Sequence, residues 1–150
     1  MSQYSQLLMY SSIHKNVMFL GRVSQDLIPA YYKMADFMVL LREPNRKNTA
    51  GFPTKFAESM TAGVPVIANA TSDLTEYLIN GVTGFLIDGF DYDSVINTLR
   101  ETVINISREN IDRMKENVCA INYAFDWHSK INEMNDYIPV SYTHLTLPTI

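Results

Sequence analysis

Cysteine is almost missing from this chain. Cys119 stands alone, so no disulfide can close within the sequence, and a reducing compartment is the expected setting. An excess of positive charge is missing too. Twelve basic residues against sixteen acidic ones give a net charge of −4, which argues against nucleic acid or an anionic membrane as a general partner. No apolar run approaches the roughly 18–20 residues of a membrane span. Met1–Tyr10 lacks the basic end and long apolar stretch of a signal peptide, so a cytoplasmic location is the expectation. His14, His128 and His144 show no metal-ligand spacing, and no metal site is expected. What the chain does have, 47% hydrophobic residues in 150, suffices for one ordinary core.

Apolar runs and helical stripes alternate along the chain. Val17–Leu20 is a continuous apolar run stopped by Gly21, as expected of a strand covered on both faces. Leu27, Ile28, Tyr31 and Met34 then recur at helical spacing. Asp36–Leu41 reads as a second buried strand, and Arg42–Ala50 as a polar loop. A helix follows over Pro53–Ala62, with proline suited to its start and Gly63 to its end; Val64–Ala68 is the third strand. Asp73 and Glu76 have the spacing of a capping box for a short helix carrying Leu74, Tyr77 and Leu78. Gly84–Ile87 is a fourth strand. Three apolar stripes close the chain: Val95/Ile96/Leu99/Val103, then Ile111/Met114/Val118/Ile121 behind a Ser107 cap, then Ile131/Met134/Ile138. This alternation predicts an α/β fold, a Rossmann-like parallel sheet flanked by helices.

In such sheets ligands bind beyond the carboxyl ends of the strands. That edge is made here by Gly21-Arg22-Val23, the Arg42–Phe52 loop and Asn69–Asp73. The helix opening at Pro53 points its free N–H groups and dipole toward this edge, which favours an anion. Lys55 adds a cation on the first turn, and Glu58, one turn further, can accept hydrogen bonds from sugar or ribose hydroxyls. The segment suits a phosphorylated, hydroxyl-rich ligand. Taken singly, a helical glutamate is more often solvated, Lys55 is equally well surface charge, and Arg22 is as well placed to pair with an acid. Cys119 has no base near it in sequence and reads poorly as a nucleophile.

Five segments in order, Phe19–Val23, Tyr32–Asp36, Phe56–Met60, Gly63–Ile67 and Glu76–Phe85, resemble the donor-binding half of the retaining glycosyltransferases of family 4, the group 1 transferases with the two-domain GT-B fold. The resemblance runs from about Val17 to Trp127. It implies that a full-length parent transfers a sugar from a nucleoside diphosphate sugar to an acceptor hydroxyl, with retention of configuration and without a cofactor or metal. Polysaccharide or glycoconjugate biosynthesis is the implied setting. Thr54, Lys55 and the backbone beside them would steady the departing diphosphate. Gly21, Arg22 and Val23 would lie against the base, Glu58 would take the ribose hydroxyls, and Asn69 and Ser72 would reach phosphate or sugar. No residue is assigned a catalytic step.

Two departures stand out. The family pairs two glutamates with seven residues between them; Glu58 matches the second, but Ala50 occupies the place of the first. Gly51-Phe52 and the residues after it resemble a subset with a different sugar-reading loop, where Arg42 and Asn48 are the expected replacements. The family's diphosphate-clamping Arg and Lys precede Val17, and Met1–Asn16 offers only Lys15. The chain is therefore expected to be a truncated nucleotide-sugar-binding domain over 1–139, lacking the N-terminal acceptor domain and inactive alone. Peripheral membrane association remains open for the full-length parent. Val140–Ile150 resembles a translated sequencing-library adapter and is expected to be a non-native tail. A non-catalytic nucleotide-sugar-binding or interaction module, or another sugar-nucleotide enzyme such as an epimerase, stays open as an alternative.

Overall fold

Three short parallel strands carry the sheet: β1 (Met38–Leu40), β2 (Val66–Asn69) and β3 (Gly84–Ile87), in the order β1-β2-β3. Met38 pairs with Val66 and Leu40 with Ala68, while Val66 pairs with Gly84 and Asn69 with Ile87. The computed structural model describes residues 15–142. His14, His144 and residues 143–150 lie outside them, as do all but the last two residues of the Met1–Asn16 segment. The chain divides into two units, residues 1–31 and 32–150.

The first unit contains Gly21 at φ +65°, a 3-10 turn over Gln25–Leu27 and the opening of helix α1 (Ile28–Met34). Val17–Leu20 corrects the sequence expectation: it is not a strand, and its side chains are 38% (Phe19) to 82% (Met18) exposed. A strand persists only where a neighbour takes its N–H and C=O groups. The described sheet contains no strand paired with this run, so apolar composition alone does not make it one.

In the second unit β2 is buried at every position because alternate side chains are covered on opposite faces. Val66 and Ala68 pack into a cluster with Phe56, Met60, Leu74, Leu78 and Val118. Phe56 and Met60 come from α3 (Thr54–Thr61), and Val118 from α5 (Arg108–Ile121). Ile67, on the other face, shares a groove with Ile96 and Leu99 of α4 (Tyr92–Val103). Of the expected helical stripes, Ile111, Met114 and Val118 of α5 are buried, and Val95, Ile96 and Leu99 of α4 are half-buried. Leu27, Tyr31, Met34, Val103, Ile131 and Met134 are exposed, a correction to the sequence expectation: helical spacing marks a face, and only a packed neighbour buries it. Asp91 caps α4 by accepting from the Ser94 amide, and Ser107 caps α5 through the Asn110 amide.

Gly63 ends α3 at φ +75°, and a Cβ there would lie 2.7 Å from Cys119 Sγ, so glycine is what lets α5 approach the end of α3. Two further expectations change. The Arg42–Ala50 loop contains a short helix, α2 (Arg46–Ala50), capped by the Asn45 side chain on the Asn48 amide. The capping box at Asp73 and Glu76 does not form: the 3-10 turn over Ser72–Glu76 starts earlier, on Thr71, whose side chain makes no cap bond. Asp73 sits inside that turn at ψ +23°, away from a cap's extended backbone. After 3-10 turns at Asn122–Phe125 and Trp127–Lys130, α6 runs over Ile131–Tyr142, entering the segment expected to be a tail.

Candidate functional site

The N-terminus of α3 is open. Its cap is Pro53, which has no N–H and gives no side-chain bond. Phe56 and Ala57 turn their amides back to Pro53 O, at 3.0 and 3.4 Å, while those of Thr54 and Lys55 have no backbone acceptor among the described residues. Both residues are exposed. The burial of Pro53 and Phe56 below them anchors the turn, so two donors and a positive dipole end face outward from a fixed base.

The charges beside this turn are already gathered. Lys55 Nζ lies 2.8 Å from Glu58 Oε2, and Tyr32 donates its hydroxyl to the same oxygen at 3.2 Å. The Glu58 hydrogen bond raises the Lys55 ammonium above its usual pKa. Partial burial, then the Glu58 charge, raises the Tyr32 phenol. The Lys55 and Glu58 side chains are 60% and 42% exposed, so their pair is worth at most about 1 kcal/mol. An incoming anion can take Lys55, and incoming hydroxyls can take Glu58, at little cost.

Arg42, Asn48, Gly51 and Asn69 form one hydrogen-bonded group at the carboxyl ends of β1 and β2. Asn69 Oδ1 accepts from the Arg42 amide at 2.9 Å, and its Nδ2 donates to Arg42 O at 2.7 Å. The Arg42 guanidinium donates to Gly51 O at 2.8 Å and to Asn48 Oδ1 at 3.3 Å, and Asn48 Nδ2 donates to Glu43 O. Gly51 is thereby tied to the sheet edge two residues before the cap of α3.

Phe52 is turned into an aromatic cluster. Its ring meets Phe56 and Tyr77 edge-on at 5.8 Å and lies 6.1 Å from Phe125. Ser72 is half-buried and, at φ +54°, is the one non-glycine among the described residues with positive φ. Gly21, Arg22 and Val23 belong to the first unit: the first two are exposed and Val23 is half-buried. Sequence reasoning missed Tyr32 and Asn45. Asn45 and Asn48 have the spacing of a cap and its N3 residue, a signal that was present; the Tyr32–Glu58 contact spans 26 residues and left none.

Among the described residues no group of three or more His, Cys, Asp or Glu is placed to hold a metal ion, and no helix is long and apolar enough to cross a membrane.

Comparison with known proteins bears on the same segments. The family model of the glycosyl transferases group 1 matches residues 3–118. The chain is 26% identical over 147 residues to an uncharacterized 41.2 kDa protein in the cps region of Klebsiella pneumoniae, covering 93% of this chain and 38% of that protein. It is 33% identical over 98 residues to a GDP-mannose-dependent alpha-(1-6)-phosphatidylinositol monomannoside mannosyltransferase of Mycobacterium tuberculosis, covering 62% of this chain and 25% of that one. The chain thus spans well under half of these relatives. Among solved structures, Anabaena Alr3699/HepE in complex with UDP and glucose superposes with a TM-score of 0.68 at 20% identity, over 91% of this chain and 35% of that one. The sucrose-phosphate synthase of Thermosynechococcus elongatus gives 0.67 at 23% identity, over 95% and 34%. The α/β fold with its parallel sheet matches these GT-B glycosyltransferase structures. With more than half of its residues matched by the family model, the chain belongs to the glycosyl transferases group 1 family.

Proposed function

We propose that this chain is the nucleotide-sugar-binding part of a retaining glycosyltransferase of family 4, the C-terminal half of a GT-B enzyme. Its parent transfers a sugar from a nucleoside diphosphate sugar to an acceptor hydroxyl, in polysaccharide or glycoconjugate biosynthesis. The observation that carries this reading is the uncapped, exposed first turn of α3, with Lys55 beside two free amides. Family membership and the UDP held by a structural neighbour agree with it.

In this reading the diphosphate lies on the Thr54 and Lys55 amides, Lys55 exchanges Glu58 for a phosphate oxygen, and Glu58 turns to the ribose hydroxyls. The bond from the anomeric carbon to the diphosphate breaks as the acceptor oxygen bonds to the same face, and the acceptor proton passes to the departing phosphate. Fixed donors aimed at that phosphate stabilise the charge that develops on it. Gly21, Arg22 and Val23 are assigned to the base. Arg42, Asn48 and Gly51 set the sugar-side loop, Phe52 backs it, and Asn69 and Ser72 close the rim. Alone, the chain binds nucleotide and does not turn over.

Calorimetry with UDP and with uridine tests this. UDP is expected to bind at about millimolar strength and at least about tenfold tighter than uridine, the difference coming from the diphosphate. Glu58→Ala is expected to weaken both. Equal affinity for UDP and uridine would overturn the reading.

A further inference from the structure

Glu58 Oε2 is shared by two donors of unlike kind. Lys55 Nζ, one turn back on the same helix, reaches it at 2.8 Å from a side chain that is 60% exposed. Tyr32, on α1 and 26 residues earlier in the chain, donates its hydroxyl at 3.2 Å. The Tyr32 ring is half-buried, and the Ala35 amide donates to Tyr32 O at 2.9 Å, so the phenol approaches Glu58 from an anchored base. Lysine holds the carboxylate by a long flexible stem, tyrosine by a rigid ring with two side-chain torsions. Glu58 Oε1 has no hydrogen bond among the described residues.

An arriving anion separates the two donors. A phosphate on the first turn of α3 draws Lys55 away, because an ion pair this exposed is weak. The phenol is neutral and is not drawn to the phosphate. Burial and the Glu58 charge both keep it protonated, so it remains a donor. With Oε2 still held, Glu58 offers Oε1 and the second lone pair of Oε2 as acceptors in a set direction. Two adjacent hydroxyls, such as those of a ribose, match that pair. Without the tie, a glutamate on an exposed helix face would lose its rotamer freedom only on binding, and affinity would fall accordingly.

We propose that Tyr32 is a positioning residue for the nucleotide: its hydroxyl holds Glu58 in the orientation that receives the ribose hydroxyls once Lys55 has turned to the phosphate. The inference deepens the nucleotide reading and rests on its assignment of Glu58. Tyr32 acts through Glu58, so its hydroxyl matters only to nucleotides that keep the ribose hydroxyls.

The test is amide NMR titration of the whole chain, wild type and Tyr32→Phe, with UDP and with its 2′,3′-dideoxy analogue. The wild type is expected to bind UDP at least about fivefold tighter than the dideoxy nucleotide. Tyr32→Phe keeps the ring and its packing; it is expected to weaken UDP about threefold to fivefold and to leave the dideoxy nucleotide unchanged. The unchanged dideoxy response at the Thr54 and Lys55 amides also shows that the variant is folded. In a Glu58→Ala background the same substitution is expected to change neither affinity. Undiminished UDP binding by Tyr32→Phe would overturn the proposal. So would equal weakening of both nucleotides, the mark of a packing role, or a persistent effect in the Glu58→Ala background. A wild type that binds both nucleotides equally would instead count against the ribose role of Glu58, and the positioning role would fall with it.

Discussion

Asn69 holds Arg42 by both of its backbone groups, accepting from the amide at 2.9 Å and donating to the carbonyl at 2.7 Å across 27 residues. The Asn69 side chain is 3% exposed, so its loss leaves part-buried backbone groups unpaired. Asn69→Ala is expected to cost about 2–3 kcal/mol in urea unfolding and to speed hydrogen exchange at the Arg42 amide. An unchanged midpoint with unchanged exchange would show that water replaces the side chain.

From Arg42 the same chain of contacts reaches Gly51. Arg42→Ala or Asn48→Ala in a full-length parent is expected to raise the donor KM or lower kcat, because the sugar-side loop loses its anchor. Steady-state kinetics checks this. Wild-type constants in both variants would remove these residues from the site.

Gly84 sits at φ +155° opposite Val66, and a Cβ there would stand 2.0 Å from Val66 O, inside the ladder that joins β2 to β3. The clash is with backbone and cannot be relieved by a rotamer change. Gly84→Ala is expected to cost about 3 kcal/mol or more, read as a fall in the urea midpoint. Full stability would mean the ladder slips without penalty.

Asp36 receives Arg108 at 2.6 Å and Lys115 at 3.1 Å. Burial alone would push its carboxyl up, but the hydrogen bonds from Lys115 and Arg108, with their charges, bring it below the usual 3.8. A depressed folded pKa adds stability above the unfolded value, and that stability is lost as pH falls through the folded one. Asp36→Asn is therefore expected to flatten the decline in urea midpoint below about pH 4. Asp91, held low by the Ser94 hydroxyl, and Asp126, held low by the His128 amide, keep some acid sensitivity in the variant. A decline as steep as the wild type's would contradict the Asp36 account.

Local signals were legible wherever the determining atoms are near in sequence. Gly63 ends α3, Ser107 caps α5, and the apolar residues of β2 mark a strand covered on both sides. Thr54, Lys55 and Glu58 could be placed on one exposed turn because a helix fixes its own geometry. Contacts made across the fold left no trace: Asn69 to Arg42, and Tyr32 to Glu58, join residues whose spacing carries no period. Val17–Leu20 failed for the complementary reason, since a strand is defined by a partner and not by its own composition. The turn at Ser72 was misread because left-handed backbone at a serine is not written in its side chain.

Amide chemical-shift mapping with UDP addresses the nucleotide claim at the atoms that make it. The expected result is a saturable shift of the Thr54 and Lys55 amides and of Glu58, reduced severalfold by Lys55→Met in a chain that stays folded. Shifts scattered away from the Pro53 turn, or none at those two amides at saturation, would contradict it.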